Sequence, residues 1–255
     1  MGDVPSVELT NGVHMPQVGL GLAGLPGDQV AEVVGTAIET GYRNFDAYGA
    51  EVGVGQALAR ADVPRHELFV TTGSNAVGYD ALHDFDAGLG RLGLEYVDLY
   101  LVHQPVDDFV QTWKAFEKLA ADGRVRAIGV AGFRIPHLRR LSEETSTVPA
   151  VNQIAVNPAS IQGNLRAYHS EHGIVTEAVN PLGDIADNDD IDYMAQKYGK
   201  TPAQIILRWH MELNHVALNN AALHGTGRLR ADIEIFDFEL ADDDVLTLSE
   251  LDTNP

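Results

Sequence analysis

Leu94-Glu95-Tyr96-Val97-Asp98-Leu99-Tyr100-Leu101-Val102-His103 is the stretch on which the fold turns. Its second part, Val97–His103, is a short β-rich run, apolar enough for a strand covered on both faces. A helical pattern over Val106–Ala121 follows, and then a second β-rich run, Ala127–Ala131. Strand, helix and strand in succession make a parallel βαβ unit, because the helix carries the chain back across the sheet.

The same alternation extends in both directions. The β-rich runs are Val18–Leu22, Arg43–Asp46, Leu68–Thr72, Val97–His103, Ala127–Ala131, Ala150–Val156, Ile174–Val179 and His215–Leu218. Asp28–Thr40 and Thr201–Glu212 carry helical periodicity, and Thr201-Pro202 supplies an N-cap followed by proline at the first helical position. Eight parallel strands with helices between them predict an α/β fold, a (β/α)8 TIM barrel. Val7–Met15 alternates around Asn11-Gly12, a pair that tolerates positive φ, and predicts a short N-terminal β-hairpin cap. No linker or low-complexity segment divides the chain, so residues 1–255 read as one domain. In such a barrel the chemistry sits at the C-terminal strand ends.

Composition narrows the function. With 45% apolar and 21% charged residues the chain can bury a large core. Its 37 acidic against 17 basic side chains give a formal charge of −20, which repels phosphate backbones and anionic lipid. The acidic run Asp184 to Asp192 reads as a solvated surface. No nucleic acid or membrane partner is expected, only a small-molecule ligand, and the chain is expected to be a monomer. The absence of cysteine excludes disulfides, thiolate metal sites and a cysteine nucleophile. No run of about 18 apolar residues occurs, and Met1 to Ser6 lacks the order of a signal peptide, so a cytoplasmic location is expected. There is no G-x-S-x-G elbow or Walker loop, and Lys114, Lys118, Lys197 and Lys200 all fall in or beside outer helices, which disfavours Schiff-base chemistry.

Gly41-Tyr42-Arg43-Asn44-Phe45-Asp46, Leu94–His103 and Asp122-Gly123-Arg124-Val125-Arg126-Ala127-Ile128-Gly129-Val130 together resemble signatures of the aldo-keto reductases. Pro149–Gln153, Gly199–Gln204 and Arg208-Trp209-His210 extend the resemblance over nearly the whole chain. It implies a barrel that reduces carbonyls with NADPH through an Asp after strand 2, a Tyr a few residues on, a Lys ending strand 3 and a His ending strand 4. Asp46 and His103 match directly. Tyr48 matches with three intervening residues deleted and is expected to be displaced. The family's Thr-Thr-Lys reads Thr71-Thr72-Gly73, so no ammonium lowers the phenol's pKa or pairs with Asp46; a phenol near pKa 10 is a poor acid, and the ancestral rate is expected to collapse.

Departures continue along the implied cofactor track. Ala131-Gly132-Phe133 stands for Ser-Asn-Phe, leaving Gln153 to hold the carboxamide, and Val179 replaces the aromatic on which the nicotinamide stacks. Leu218-Asn219-Asn220-Ala221 replaces Ile-Pro-Lys-Ser. Arg228 survives in Arg228–Asp232, but Asp232 puts a carboxylate where an amide would lie near the adenosine. Gln153 and Arg228 are thus cofactor-binding remnants, and no cofactor is expected unless the ancestral activity survives with NADPH. Losses at five strand ends beside intact barrel signatures read as redesign, with a natural pseudoenzyme as the alternative.

Among the remaining polar residues, Asp46 reads as a general base and His103 as a proton shuttle or carbonyl-orienting group, while Glu177 reads as structural. Asn152, Ser74, Asn75, Asn219 and Asn220 can hydrogen-bond a ligand or loop backbone. His103, His210, His215 and His224 lie on different elements without metal-ligand spacing, so no metal is expected. The first reading is a barrel that binds a small, apolar, uncharged molecule, or catalyses non-redox proton transfer on it with Asp46 as base. The alternatives are a residual NADPH-dependent aldehyde or ketone reductase and an inert scaffold.

Overall fold

The computed structural model describes residues 4–106, 108–183, 188–220 and 226–252; residues 184–187 of the acidic run, Ala221 and His224 lie outside them. The first two strands, β1 (Ser6–Glu8) and β2 (His14–Pro16), pair antiparallel across the Asn11-Gly12 turn, where Gly12 takes φ 79°. Asn11 Nδ2 ties the hairpin to the barrel by donating to Arg126 O at 2.7 Å. Val7, Leu9, Val13 and Met15 pack against Phe69, Leu99, Val151 and Val216, so the cap stoppers the N-terminal end of the barrel with apolar side chains.

Eight strands close the barrel: β3 (Val18–Gly21), β4 (Asn44–Asp46), β5 (Phe69–Ser74), β6 (Val97–Val102), β7 (Val125–Ala131), β8 (Val151–Ala155), β9 (Val175–Val179) and β10 (Val216–Asn219), the last pairing with the first. Each expected run falls on one of them. β5 continues past the expected Thr72, because Gly73 and Ser74 stay in parallel register with Leu101 and Val102. Asp98 on β6 clamps the neighbouring strands. Its fully buried carboxylate accepts from Arg65 Nη2 at 2.7 Å, Arg126 Nη1 at 2.8 Å and the Val70 N–H at 2.9 Å.

The helices are α1 (Gly27–Thr40), α2 (Glu51–Leu58), α3 (Asp80–Leu92), α4 (Phe109–Ala121), α5 (Ile135–Glu144), α6 (Gly163–His172), α7 (Asp189–Tyr198), α8 (Pro202–Glu212), α9 (Leu229–Ile233) and α10 (Asp242–Ser249). α8 begins as its cap chemistry demands: Thr201 Oγ1 accepts from the Gln204 N–H, and the Gln204 side chain accepts from the Thr201 N–H. α4 starts three residues later than the periodicity predicts, since Asp108 adopts a left-handed φ of 61° that the helix cannot continue through.

Candidate active site at the C-terminal mouth

Asp46 ends β4 and points into the barrel. Its Oδ1 accepts from the Tyr48 N–H at 3.1 Å and its Oδ2 from Gln153 Nε2 at 2.9 Å. Burial pushes this carboxyl above the usual range, against the lowering effects of those two hydrogen bonds and of His103. The same Gln153 nitrogen donates to Glu177 Oε2 at 3.0 Å, so one amide bridges two carboxyls and commits both of its protons. Glu177 is fully buried on β9; desolvation first, and Asp46 second, push it up to about 8. It therefore holds a proton at neutral pH.

The shortened motif after β4 still delivers its phenol. Gly49 takes φ 74°, and Ala50 N–H closes a tight turn onto Ala47 O at 2.7 Å, so the chain enters α2 within a few residues of Asp46. Tyr48 stacks on the His103 imidazole with ring centroids 3.6 Å apart. Tyr48 therefore meets the histidine face to face at the strand ends. Asn75 Nδ2 donates to Tyr48 Oη at 2.7 Å, which occupies a lone pair and leaves the phenol O–H free to donate. Burial first, and then the charges of Asp84, Glu51 and Asp46, raise the Tyr48 pKa. Burial lowers that of His103, with Asp46 pulling the other way. His103 Nε2 is buried and has no hydrogen-bond partner among the described residues.

The place of the missing lysine is filled, not vacant. A Cβ on Gly73 would lie 2.7 Å from Leu101 O and 3.0 Å from His103 Cδ2. Its role toward Asp46 falls to Gln153, a neutral donor.

The other candidates divide. Asn75 joins the site. Asn152 is spent on Phe133 O at 2.8 Å and His169 Nε2 at 2.9 Å, and Ser74 donates to Asp84 at 2.5 Å. Asn219 Nδ2 donates to Asp232 Oδ2 at 3.1 Å, and Asn220 lies against Gly21. The buried Asp232 carboxylate thus faces Asn219 and, at 3.9 Å, Arg228 Nε. Arg228 itself remains half-exposed. His210 and His215 hydrogen-bond each other, and among the described residues no three His, Asp or Glu side chains converge as metal ligands. Among the described residues no helix is long and apolar enough to cross a membrane. What the sequence reading missed is the carboxyl–amide–carboxyl bridge through Glu177. Its signal was the period-two alternation that turns Gln153 and Glu177, register partners on β8 and β9, toward the same interior.

Comparisons with known proteins agree with this geometry. The chain is 40% identical to morphine 6-dehydrogenase of Pseudomonas putida, over 99% of this chain and 93% of that one. It superposes on the crystal structure of an aldo/keto reductase from Brucella melitensis with a TM-score of 0.96 at 38% identity, covering 99% of both chains. A Bombyx mori aldo-keto reductase crystallised in complex with NADP matches with a TM-score of 0.92 at 29% identity, over 99% of this chain and 94% of that one. This likeness to natural enzymes gives the redesign reading no support. With the Aldo/keto reductase family model matching residues 17–253 as well, the chain belongs to the aldo/keto reductase family.

Proposed function

We propose that the protein is an NADPH-dependent carbonyl reductase that works with a weak proton donor, the second of the readings drawn from the sequence. The observation that carries it is the stacked Tyr48–His103 pair beside Asp46 at the strand ends, with a free phenol O–H and an unpartnered His103 Nε2. The non-redox reading loses ground because the chain belongs to the aldo/keto reductase family, whose relatives include a dehydrogenase and an NADP complex.

The residues present fit the cofactor bound by the Bombyx mori relative, so the expectation of no cofactor is set aside. Gln153 has given both amide protons to carboxyls, which leaves its carbonyl as an acceptor for a carboxamide N–H. The half-exposed Arg228 guanidinium can pair with a phosphate. When bound, the reduced nicotinamide supplies a hydride. Tyr48 Oη and His103 Nε2 hold the substrate oxygen, and Tyr48 gives it a proton. Asp46, by accepting from the Tyr48 N–H, fixes the turn that positions that phenol.

With its pKa raised and no cation beside it, Tyr48 transfers its proton late. Electron-poor carbonyls, which need less proton transfer in the transition state, are therefore the substrates of choice. The test is calorimetric titration with NADPH at low salt, followed by reduction of a series of aldehydes and ketones of graded electron demand, with Tyr48→Phe as control. Saturable NADPH binding and turnover that rises with electron demand and collapses in Tyr48→Phe are expected. Absence of binding, or turnover indifferent to Tyr48→Phe, would overturn the reading.

A further inference from the structure

Away from the mouth, a cleft of about 600 Å³ runs down the outer wall of the barrel between α6, the start of β9 and the Leu213–His215 connection into β10, with Glu8 of β1 at its foot. Arg166 of α6 is the one arginine or lysine among the described residues that line it, and Glu8 the one carboxylate. The chain has a formal charge of −20, yet among the described residues several arginines, the half-buried Arg43 and Arg166 among them, have no carboxylate partner. Arg65, Arg91, Arg124, Arg126, Arg140 and Arg208 all lie within 3.3 Å of a carboxylate oxygen. Among the described residues, Arg166 forms no such pair, although it is half-buried.

What holds it is a chain of neutral groups. Arg166 Nη1 donates to Ile161 O at 3.3 Å, and Nε donates to His215 Nε2 at 2.9 Å. Arginine can only donate, so His215 Nε2 must accept and its proton must sit on Nδ1. That proton faces His210 Nδ1 at 3.1 Å, which places the His210 proton on Nε2, donating to Pro181 O at 3.0 Å. Burial first, and neighbouring charge second, keep His215 neutral, and burial keeps His210 neutral although the Pro181 hydrogen bond opposes it. The relay fixes the guanidinium by its Nε edge and leaves N–H groups of its outer edge uncommitted. Desolvation disfavours the Arg166 charge, a cost that a bound anion would offset.

We propose that this cleft is an oxyanion site: a carboxylate or phosphate group pairs with the outer edge of Arg166, with Ser170 and Asn214 in its walls. The site is separate from the carbonyl-reducing mouth and does not depend on that reading. The relay that Arg166 heads ends on Pro181, two residues beyond the end of β9.

The test is titration of the full chain at low ionic strength with inorganic phosphate and, separately, with acetate, followed by calorimetry and by the imidazole nitrogen resonances of His210 and His215. Saturation by either anion with a shift of the His215 resonances is expected, and which anion saturates separates a phosphate from a carboxylate ligand. Two variants test the place. Arg166→Gln removes the cation. Ala167→Glu, at an exposed helical position lining the same cleft, supplies an internal carboxylate without touching the relay. Binding should weaken by about tenfold or more in each. Should Arg166→Gln fail to fold, Ala167→Glu decides alone. Neither anion binding, or binding that survives Ala167→Glu, would overturn the proposal.

Discussion

Replacing Gly73 by alanine tests whether the family's lysine position has been closed. The new methyl carbon would sit 2.7 Å from Leu101 O, 3.0 Å from His103 Cδ2 and 3.3 Å from Leu101 Cβ. Carbon and carbonyl oxygen ordinarily approach no closer than about 3.3 Å, so β5 and β6 must part by several tenths of an ångström. The obstacle is backbone within the Gly73–Leu101 register pair, not the end of a flexible side chain, and it cannot swing aside. Overpacking of this kind costs about 1–3 kcal/mol. The smaller entropy of an unfolded alanine returns about 0.4–1 kcal/mol, so the clash wins. For a chain of this size each kcal/mol moves Tm by about 2–4 °C, so a mid-range net cost of about 1.3 kcal/mol lowers Tm by roughly 3–5 °C in a thermal scan. The second contact pushes the His103 ring, on which Tyr48 stacks at 3.6 Å; a misplacement near 1 Å costs about a hundredfold in kcat/KM. Gly73→Lys meets the same wall at its Cβ and should not rescue the activity. An unchanged or raised Tm for Gly73→Ala, with kcat/KM intact, would refute the reasoning.

Three further outcomes follow from the same geometry. Glu177 titrates at about 8 in the fold against an ordinary 4.5, so the native state holds its proton more tightly than the unfolded chain; stability falls as pH rises from about 4.5 to about 8 and is level beyond. Glu177→Gln should flatten that slope in urea titrations across the window, and parallel curves for the two proteins would count against it. Asp98→Ala strands Arg65 and Arg126 against a buried void, and urea unfolding should show a loss of about 3–5 kcal/mol; a loss under about 1 kcal/mol would mean the clamp is idle. Val179→Tyr restores a ring at the end of β9 and should tighten NADPH binding about two- to tenfold by calorimetry, the worth of one stacked pair; no tightening would show that the cofactor's ring does not pass over residue 179.

The parts of the fold that the sequence announced are those set by local chemistry. α8 begins at Pro202 because Thr201 and Gln204 cap each other three residues apart, and the hairpin turns at Asn11-Gly12 because that pair accepts positive φ. β5 ran two residues further than its composition suggested, since ladder bonds to β6 override the weak strand preference of glycine. In the site, Asp46 and His103 were legible as strand-end residues. The bridge from Gln153 to Asp46 spans 107 residues of sequence and exists only once the barrel has closed. The Tyr48–His103 stack was hidden for a different reason: it joins the tight turn at Gly49 to the end of a strand more than fifty residues on, and no local pattern announces the contact.

Losing a lysine beside a buried carboxylate leaves an electrostatic deficit, and the fold answers it by changing which groups are charged. Asp46 keeps two donors, the Tyr48 N–H and the Gln153 amide, each of which favours its ionised form. A second ionised carboxyl at the other side of that amide would have no cation to balance it, and Glu177 accordingly keeps its proton to about 8. Any carboxylate charge at the floor of the site therefore has no cation beside it, where an Asp–Lys pair would balance it. That charge acts on Tyr48 in the direction opposite to an ammonium, disfavouring phenolate and keeping the O–H intact as a hydrogen-bond donor. On the proposed reading the carbonyl lies at the Tyr48–His103 pair. The exchange of lysine for an amide would then set how much acid assistance it receives there, and so which carbonyls the proposed reductase takes.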